Sequence, residues 1–204
     1  MTDRKLVHIV DDEEAVRRSI GYMLRVAGYA FESWPSGAAF LQDSDHVEEG
    51  CILLDVRMAD MDGLQVQEAL TERGVTMPVV IMTGHGDIST AVRAMKAGAI
   101  DFIEKPFDKA GLLTALNAAF AHIDAAGGAV PRTLQAEQIL DGLTPRERDV
   151  LEGLVKGLPN KTIAYDLGIS ARTVEVHRAN LMTKLNVRSL SDALRIAFSA
   201  GLGA

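Results

Sequence analysis

Short, continuous apolar runs alternate along the first 122 residues with stretches in which apolar residues recur every three or four positions. The clearest run is 51–54, which leads directly into Asp55. Such runs are typical of strands buried on both faces, and the recurring spacing is typical of amphipathic helices. Further runs that end in polar residues lie at 6–10, 29–34, 78–83 and 99–104. The pattern therefore predicts five strands alternating with five helices.

That alternation predicts a parallel sheet covered by helices on both faces. The helices are expected at about 15–26, 36–41, 64–70, 88–96 and 112–123, with Ser36 and Asp87 as caps of the second and fourth. Right-handed crossovers bring the carboxyl ends of such strands to one edge of the sheet, where a crevice forms. The polar residues at or just past those ends are Asp11, Asp12, Asp55, Thr83 and Lys105. We therefore expect these five side chains to lie close together.

The chemistry of that set predicts a phosphoryl-accepting site centred on Asp55. Clustered carboxylates repel one another, and oxygen ligands beside a phosphate favour Mg²⁺ as the compensating cation. A carboxylate is ionised near neutral pH and can form an aspartyl-phosphate, while a lysine and a hydroxyl can stabilise the transferring group. Each residue alone also fits an ordinary role, as a helix-starting acid, a strand-end hydroxyl or a solvated lysine. Their combination at neighbouring strand ends favours the chemical role.

Helical patterns alone fill the last 64 residues. The four helices are expected at about 145–156, 160–167, 171–185 and from Ser189 or Ser191 to 200. The first begins with the capping pattern Thr144-Pro145-Arg146-Glu147. Gly168 ends the second helix, and Ser170 caps the third. Two short helices joined by a Gly-containing turn predict a helix-turn-helix.

The third of these helices has two distinct faces. Val174, Leu181 and Leu185 form an apolar face at helical spacing. The other face, which is short-chained near the helix start and basic further on, carries Thr173, Val176, His177, Asn180 and Lys184. A helix of this kind can enter the major groove of DNA. A solvated surface on an ordinary four-helix bundle is the alternative that the residues alone leave open.

Gly127, Gly128 and Pro131 mark a boundary between the two parts. We predict a first domain over 1–123, a linker over 124–140 and a second domain over 141–204. Residues 1–122 hold 11 Lys and Arg against 19 Asp and Glu, whereas residues 141–204 hold 9 against 7. An acidic first part and a mildly basic last part suit different partners, although so small a basic excess does not by itself predict nucleic-acid binding.

The sequence carries no sign of a membrane or export signal. No apolar run approaches the roughly 20 residues that span a bilayer, and the N-terminus lacks a signal-peptide pattern. The single cysteine, Cys51, cannot form an internal disulfide and lies in an apolar run. We therefore expect a cytoplasmic protein without a membrane partner.

Motifs of the first part resemble the receiver domain of two-component response regulators, specifically the FixJ group. They are Val10-Asp11-Asp12-Glu13, Leu54-Asp55-Val56-Arg57-Met58, Ile81-Met82-Thr83-Gly84-His85-Gly86-Asp87 and Asp101-Phe102-Ile103-Glu104-Lys105-Pro106-Phe107. The resemblance implies a flavodoxin-like α/β fold, (βα)5, with a parallel sheet in the order 2-1-3-4-5. It also implies that Asp55 is the phospho-acceptor.

The same resemblance implies roles for the surrounding residues. Asp12, Asp55 and the Arg57 backbone carbonyl would bind Mg²⁺ directly, and Asp11 would do so through water. Thr83 and Lys105 would contact the phosphoryl group, and Phe102 would change its packing on activation. The family usually has proline at the position of Ala59, so we expect a looser loop and a changed phosphorylation lifetime.

The last part resembles the LuxR/NarL-type effector domain, an all-α four-helix helix-turn-helix domain. The motifs are Leu143-Thr144-Pro145-Arg146-Glu147, Asn160-Lys161-Thr162-Ile163-Ala164, Ser170-Ala171-Arg172-Thr173-Val174-Glu175-Val176-His177 and Lys184-Leu185. The resemblance implies that Thr173, Glu175, Val176, Arg178 and Asn180 face DNA, with Lys161, Arg172 and Lys184 near phosphate. Glu175 stands where many relatives have lysine, so the base preference is expected to differ.

Together these features predict a phosphorylation-dependent transcription regulator and not an enzyme beyond its own phosphoryl transfer and dephosphorylation. The expected partners are a cognate histidine kinase, promoter DNA, a second copy through a face at 88–104, and RNA polymerase as a further candidate. Activation of transcription is the expected outcome. One alternative is a phosphatase with an aspartate nucleophile, although Arg57 stands where such enzymes usually have a second acid. The other is a constitutive DNA-binding protein with a vestigial receiver.

Overall fold

Five strands form one sheet in a computed structural model, which describes residues 5–84, 88–125, 136, 139–187 and 189–203. The strands are β1 (Leu6–Val10), β2 (Ala30–Trp34), β3 (Cys51–Asp55), β4 (Val79–Thr83) and β5 (Asp101–Glu104). All neighbours pair in parallel, in the order β2-β1-β3-β4-β5. Every residue of β1, β3 and β4 is buried, as continuous apolar runs predict. The predicted fold class and strand order are confirmed.

Five helices follow the strands, and local capping explains where several of them begin. They are α1 (Glu14–Val26), α2 (Gly37–Asp43), α3 (Gly63–Glu72), α4 (Ile88–Lys96) and α5 (Lys109–Ala125). Ser36 caps α2, as predicted. The α5 helix begins three residues before the apolar pattern does, because Asp108 accepts a hydrogen bond from the Gly111 N–H at 2.8 Å. The predicted cap of α4, Asp87, lies outside the described residues.

Apolar side chains fill both faces of the sheet. On one face, α1 and α5 cover alternate strand residues, including Ile9, Leu53 and Met82. On the other face, the rings of His8, Trp34 and Phe40 contact one another with centroids 5.5–6.4 Å apart. These two layers hold the strand ends, and the loops after them, in fixed positions.

Four further helices follow in the last part of the chain. They are α6 (Pro145–Val155), α7 (Asn160–Leu167), α8 (Ala171–Lys184) and α9 (Leu190–Ser199). The predicted capping box of Thr144 and Glu147 begins α6, and Ser170 caps α8. Of the two predicted caps for α9, Ser189 makes the bond, while Ser191 is buried. Gly168, at φ +66°, turns the chain between α7 and α8.

The described residues fall into two structural units. One contains those of 1–85 and 97–127, and the other contains those of 86–96 and 128–204, so that α4 is grouped with the later helices. Most of the predicted linker, 124–140, lies outside the described residues, so the domain limits stay a prediction. Within the described part of the chain, no helix combines the length and the apolar character that crossing a bilayer requires.

Candidate functional site

Asp11 and Asp55 lie side by side at the carboxyl edge of the sheet. Asp11 follows β1 and Asp55 ends β3, and these two strands are neighbours in the sheet, with Val10 paired to Leu54. Between β1 and β3 the strand order reverses, and a crevice opens at such a point in a parallel sheet. Both carboxylates are buried, at 0% and 6% exposure, while the adjoining Asp12 is exposed. The fold therefore brings three acids from two loops to one place.

These three acids form a cluster that suits a cation. Asp11, Asp12 and Asp55 each offer a carboxylate oxygen, and these oxygens lie within 4.8 Å of one another. The Lys105 Nζ lies 2.7 Å from Asp11 Oδ2 and 3.0 Å from Asp55 Oδ1. One lysine against three carboxylates leaves the cluster negative. A set of hard oxygen donors with excess negative charge is typical of Mg²⁺ binding, so the residues present fit that ion.

The environment of Asp55 shifts its acidity in opposing directions. Burial raises the pKa of Asp55 above its ordinary value, and the charge of Asp11 adds to the rise. Lys105 and a backbone hydrogen bond from Arg57 lower the pKa, but only in part. For Lys105 itself, burial lowers the pKa, yet the bonds to the two acids outweigh it and the net pKa is raised. Lys105 thus stays charged near neutral pH and keeps the pKa of Asp55 from rising further.

Backbone hydrogen bonds align the strand ends around the cluster. The Lys105 N–H donates to the Thr83 carbonyl at 2.8 Å, and the Val56 N–H donates to the Met82 carbonyl at 3.1 Å. Thr83 is buried at the end of β4, and its hydroxyl donates to the Gly84 carbonyl at 3.3 Å. The structure therefore places Thr83, Lys105 and the acids at one edge of the sheet, as expected.

The surroundings of two other predicted residues, Phe102 and Arg57, do not test the roles expected of them. Phe102 is half-buried in β5, and its N–H donates to the Asp101 carboxylate at 2.7 Å. Arg57 is exposed, and its guanidinium passes so close to Gly84 that a Cβ there would lie 2.8 Å from it. A switching role for Phe102 and a metal contact by the Arg57 carbonyl stay predictions.

Sequence reasoning does not identify the close approach of Gly63 to Asp55. A Cβ at position 63 would lie 2.3 Å from the Asp55 carbonyl oxygen, too near for any side chain. The Gly63 N–H also donates to the Val56 carbonyl at 2.9 Å. The turn signal Met61-Asp62-Gly63 predicts a glycine turn, but its packing against the backbone of Asp55 depends on the tertiary fold.

Two further bonds to the acids also escape sequence reasoning. The Arg17 guanidinium donates to the Asp11 carbonyl at 2.6 Å, and the Ala59 N–H donates to Asp12 Oδ2 at 3.0 Å. Each bond joins different loops or elements, so no local sequence pattern predicts it. The departure from proline at position 59 is the sequence signal that points to the second.

In the last part of the chain, α8 presents an exposed surface. Among the eight residues predicted to contact DNA, exposed side chains include Lys161, Arg172, Glu175, Val176 and Asn180. Val176 is 53% exposed, which is notable for an apolar side chain on a packed helix. Its neighbours Val174 and Leu181 are buried, which confirms the predicted apolar face. Thr173 is half-buried, and its hydroxyl lies 2.8 Å from that of Ser170.

The remaining two predicted DNA contacts, Arg178 and Lys184, have partners inside the domain. Arg178 donates to Asn160 Oδ1 at 2.9 Å, and Lys184 donates to Glu147 Oε2 at 2.8 Å. These bonds join α8 to the start of α7 and to the first turn of α6. We assign both side chains a role in positioning α8, while their contact with DNA stays a prediction.

Glu147→Gln is expected to destabilise this part of the chain by roughly 1–3 kcal/mol, because it removes the charge from a buried carboxylate that accepts two hydrogen bonds. Glu147 is 4% exposed, and it accepts from both Lys184 and the Thr144 N–H. The bond from Lys184 is the main cause of a lowered pKa for Glu147. The measurement is hydrogen exchange of α8 amides.

The pH dependence of this effect has a definite sign. A carboxyl with a lowered pKa in the folded state stabilises the fold above its unfolded pKa and loses that contribution as the pH falls through the folded value. The difference in stability between wild type and Glu147→Gln should therefore shrink below about pH 4.5, the ordinary pKa of a glutamate side chain. Asp149→Asn, which breaks an exposed pair with Arg146 at 3.4 Å, should change stability by less than about 1 kcal/mol. Equal losses in both variants would contradict the role of Glu147.

Both parts of the chain match known protein families. The response regulator receiver domain matches residues 7–117, and the luxR family of bacterial regulatory proteins matches residues 141–197. The chain is 48% identical to the transcriptional regulatory protein FixJ of Azorhizobium caulinodans, over 96% of this chain and 93% of that protein. It is 47% identical to FixJ of Rhizobium meliloti, over 100% and 99%. Full-length FixJ from B. japonicum superposes with a TM-score of 0.60 at 39% identity, covering 98% of each chain.

The chain therefore belongs to the two-component response regulators that join a receiver domain to a LuxR-type DNA-binding domain. Its parallel sheet, its acidic crevice and its helix-turn-helix are the features that define this class. Within the class it is of the FixJ type, and the resemblance seen in the motifs around Thr83 and Lys105 is confirmed.

Proposed function

We propose that Asp55 accepts a phosphoryl group from a cognate histidine kinase and that this controls DNA binding by the last four helices. The observation that carries the proposal is the buried Asp55 carboxylate, 3.0 Å from the Lys105 ammonium and clustered with Asp11 and Asp12. Burying a carboxylate beside like charges is unfavourable, so a purely structural acid would not be expected there. The arrangement supports a reactive carboxylate.

The transfer follows from these positions. An Asp55 oxygen attacks the phosphorus of a phosphohistidine, the new O–P bond forms as the N–P bond breaks, and the imidazole nitrogen leaves with the electron pair. Lys105 stabilises the charge on the phosphoryl oxygens, and the Thr83 hydroxyl offers a hydrogen bond. The further neutralising charge would come from a Mg²⁺ ion held by Asp12, Asp55, the Arg57 carbonyl and, through water, Asp11.

Phosphorylation is proposed to favour a dimer of receiver domains. Two effector domains held together bind a two-fold DNA site more tightly than one. The phosphorylated state must itself favour the dimer, since a modification with no preference between states shifts nothing. Phe102 is the candidate aromatic residue that repacks. Transcription would then be activated in the cytoplasm, with RNA polymerase as a further candidate partner.

The exposed side of α8 is proposed to enter the major groove. Glu175 can accept a hydrogen bond from a cytosine amino group, and Val176 can contact a thymine methyl. Lys161 and Arg172, near the starts of α7 and α8, can meet phosphates. The full set of candidate contacts is Lys161, Arg172, Thr173, Glu175, Val176, Arg178, Asn180 and Lys184.

The test compares the protein with and without acetyl phosphate in the presence of Mg²⁺. We expect one hydroxylamine-labile phosphoryl group per chain by mass spectrometry, a doubled molar mass by light scattering, and tighter binding to duplexes selected from a random pool. Chelation of Mg²⁺ before the donor is added should prevent all three. Equal DNA affinity in both states would instead favour a constitutive DNA-binding protein. Steady hydrolysis of a phosphomonoester without a phosphoprotein would favour a phosphatase.

A further inference from the structure

The backbone of the loop after β3 donates a hydrogen bond to the acid cluster. The Ala59 N–H lies 3.0 Å from Asp12 Oδ2, although the two residues are 47 positions apart in sequence. Asp12 is the exposed acid of the cluster, whereas Asp11 and Asp55 are buried. The bond therefore fixes the one carboxylate that burial does not already hold in place.

The other two acids have different donors. Lys105 bonds to both Asp11 and Asp55, and the Glu13 N–H donates to Asp11 Oδ1 at 2.8 Å. Asp12 depends on Ala59 for its described hydrogen bond. Asp11 and Asp55 thus share Lys105, whereas the donor for Asp12 is the backbone of a residue with no functional side chain.

The resemblance to receiver domains implies proline at position 59, where this chain has alanine. Proline has no N–H, so a chain with proline there cannot make the bond. The replacement by Ala59 therefore does more than free the backbone of the loop. It adds a hydrogen-bond donor within reach of a candidate metal ligand.

We propose that Ala59 is a positioning residue for the cation, because its N–H holds the Asp12 carboxylate over the site. A carboxylate has enough lone pairs to accept this bond at Oδ2 while it ligates a cation. Hydrogen bonds to ligating carboxylates orient them, and losing such a bond typically weakens metal binding about tenfold or more. The inference rests on the proposed function, since it requires that Mg²⁺ binds at the cluster.

The test is a Mg²⁺ titration of the full chain, without phosphodonor, for wild type, Ala59→Pro and Ala59→Gly. Trp34 is the single tryptophan, and its carbonyl accepts from the Asp11 N–H at 3.3 Å, so its fluorescence can report on the site. Displacement of bound Mn²⁺ by Mg²⁺ provides an independent measure of binding, because the freed Mn²⁺ is detected by electron paramagnetic resonance. Ala59→Pro should raise the dissociation constant about tenfold or more. Ala59→Gly keeps the N–H and should bind like wild type.

A second pair of variants separates the hydrogen bond from loop stiffness. In an Asp12→Ala background, Ala59→Pro should have no further effect on the dissociation constant, because the acceptor is gone. Equal or tighter binding by Ala59→Pro, equal weakening by Ala59→Gly, or an unchanged effect of Ala59→Pro in the Asp12→Ala background would each overturn the inference. A wild type with no saturable response to Mg²⁺ or Mn²⁺ would overturn the proposed function itself, which is a distinguishable result.

Discussion

Asp55→Asn is expected to abolish phosphorylation by acetyl phosphate and the dimerisation that depends on it. An amide is not a nucleophile toward phosphorus and cannot form an acyl phosphate, although it has nearly the shape of the carboxyl group. Mass spectrometry should find no hydroxylamine-labile phosphate on the variant. Light scattering should give the monomer mass at a donor concentration that converts wild type to the dimer.

The same variant should be at least as stable as wild type. Burial raises the pKa of Asp55 in the folded state above its ordinary value of 3.8, so the folded protein binds that proton more tightly than the unfolded chain does. The ionised carboxylate therefore destabilises the fold above about pH 4, and stability is regained as the pH falls through the folded pKa. Asparagine removes the charge. Thermal unfolding should show an advantage for the variant at pH 7 that diminishes toward pH 4.

Asp45→Asn is the matched control, because Asp45 is an exposed acid in a turn of the same domain. It should be phosphorylated and should dimerise like wild type. Dimerisation of Asp55→Asn in response to acetyl phosphate would mean that another residue accepts the phosphoryl group. A marked loss of stability in that variant would mean that the ion pair with Lys105 outweighs the burial of the charge.

Lys105→Met is expected to slow phosphorylation of Asp55 by about 10²–10³-fold, the usual effect of removing one preorganised donor from a developing negative charge. Lys105 is also the main influence that lowers the pKa of Asp55, after the larger effect of burial in the opposite direction. Without it, the pKa of Asp55 rises further, and less of the nucleophile is ionised. The acid limb of the rate profile should therefore move to higher pH. Single-turnover phosphorylation rates, measured against pH, test both parts of this prediction.

Lys109→Met provides the control for loss of a positive charge, at a lysine four positions further along the chain. Lys109 is exposed at the first position of α5, whereas Lys105 bridges two acids at 2.7 Å and 3.0 Å. The rate at which Lys109→Met is phosphorylated should stay near that of wild type. If both lysine variants slowed equally, general electrostatics would explain the effect. If Lys105→Met reacted at close to the wild-type rate, its role at the phosphoryl group would be wrong.

The strands at the centre of the sheet are visible in the sequence because burial on both faces requires an apolar residue at nearly every position. This is why β1, β3 and β4 follow the apolar runs closely. The edge strand β2 is partly exposed and begins at Ala30, one residue later than expected. Alternation of strands and helices predicts a parallel sheet, but the order of strands came from the resemblance of motifs to a family.

Helical spacing predicts which side of a helix faces the core but not what lies opposite each side chain. It places Val174 and Leu181 correctly on the buried face of α8. It also predicts an apolar position at Val26, the end of the expected helix 15–26, where the structure leaves the side chain 57% exposed. Periodicity likewise cannot show that Lys184 bonds to Glu147, because the two are 37 positions apart.

Local patterns thus determined the elements, the helix caps and the strand ends at which Asp11, Asp55, Thr83 and Lys105 stand, since each depends on neighbours within a few residues. The individual bonds between these distant residues were decided by the folded chain alone. Lys105 meets Asp11 across 94 positions, and Ala59 meets Asp12 across 47. Such contacts depend on the angles and distances between loops, which only the packed sheet and helices establish.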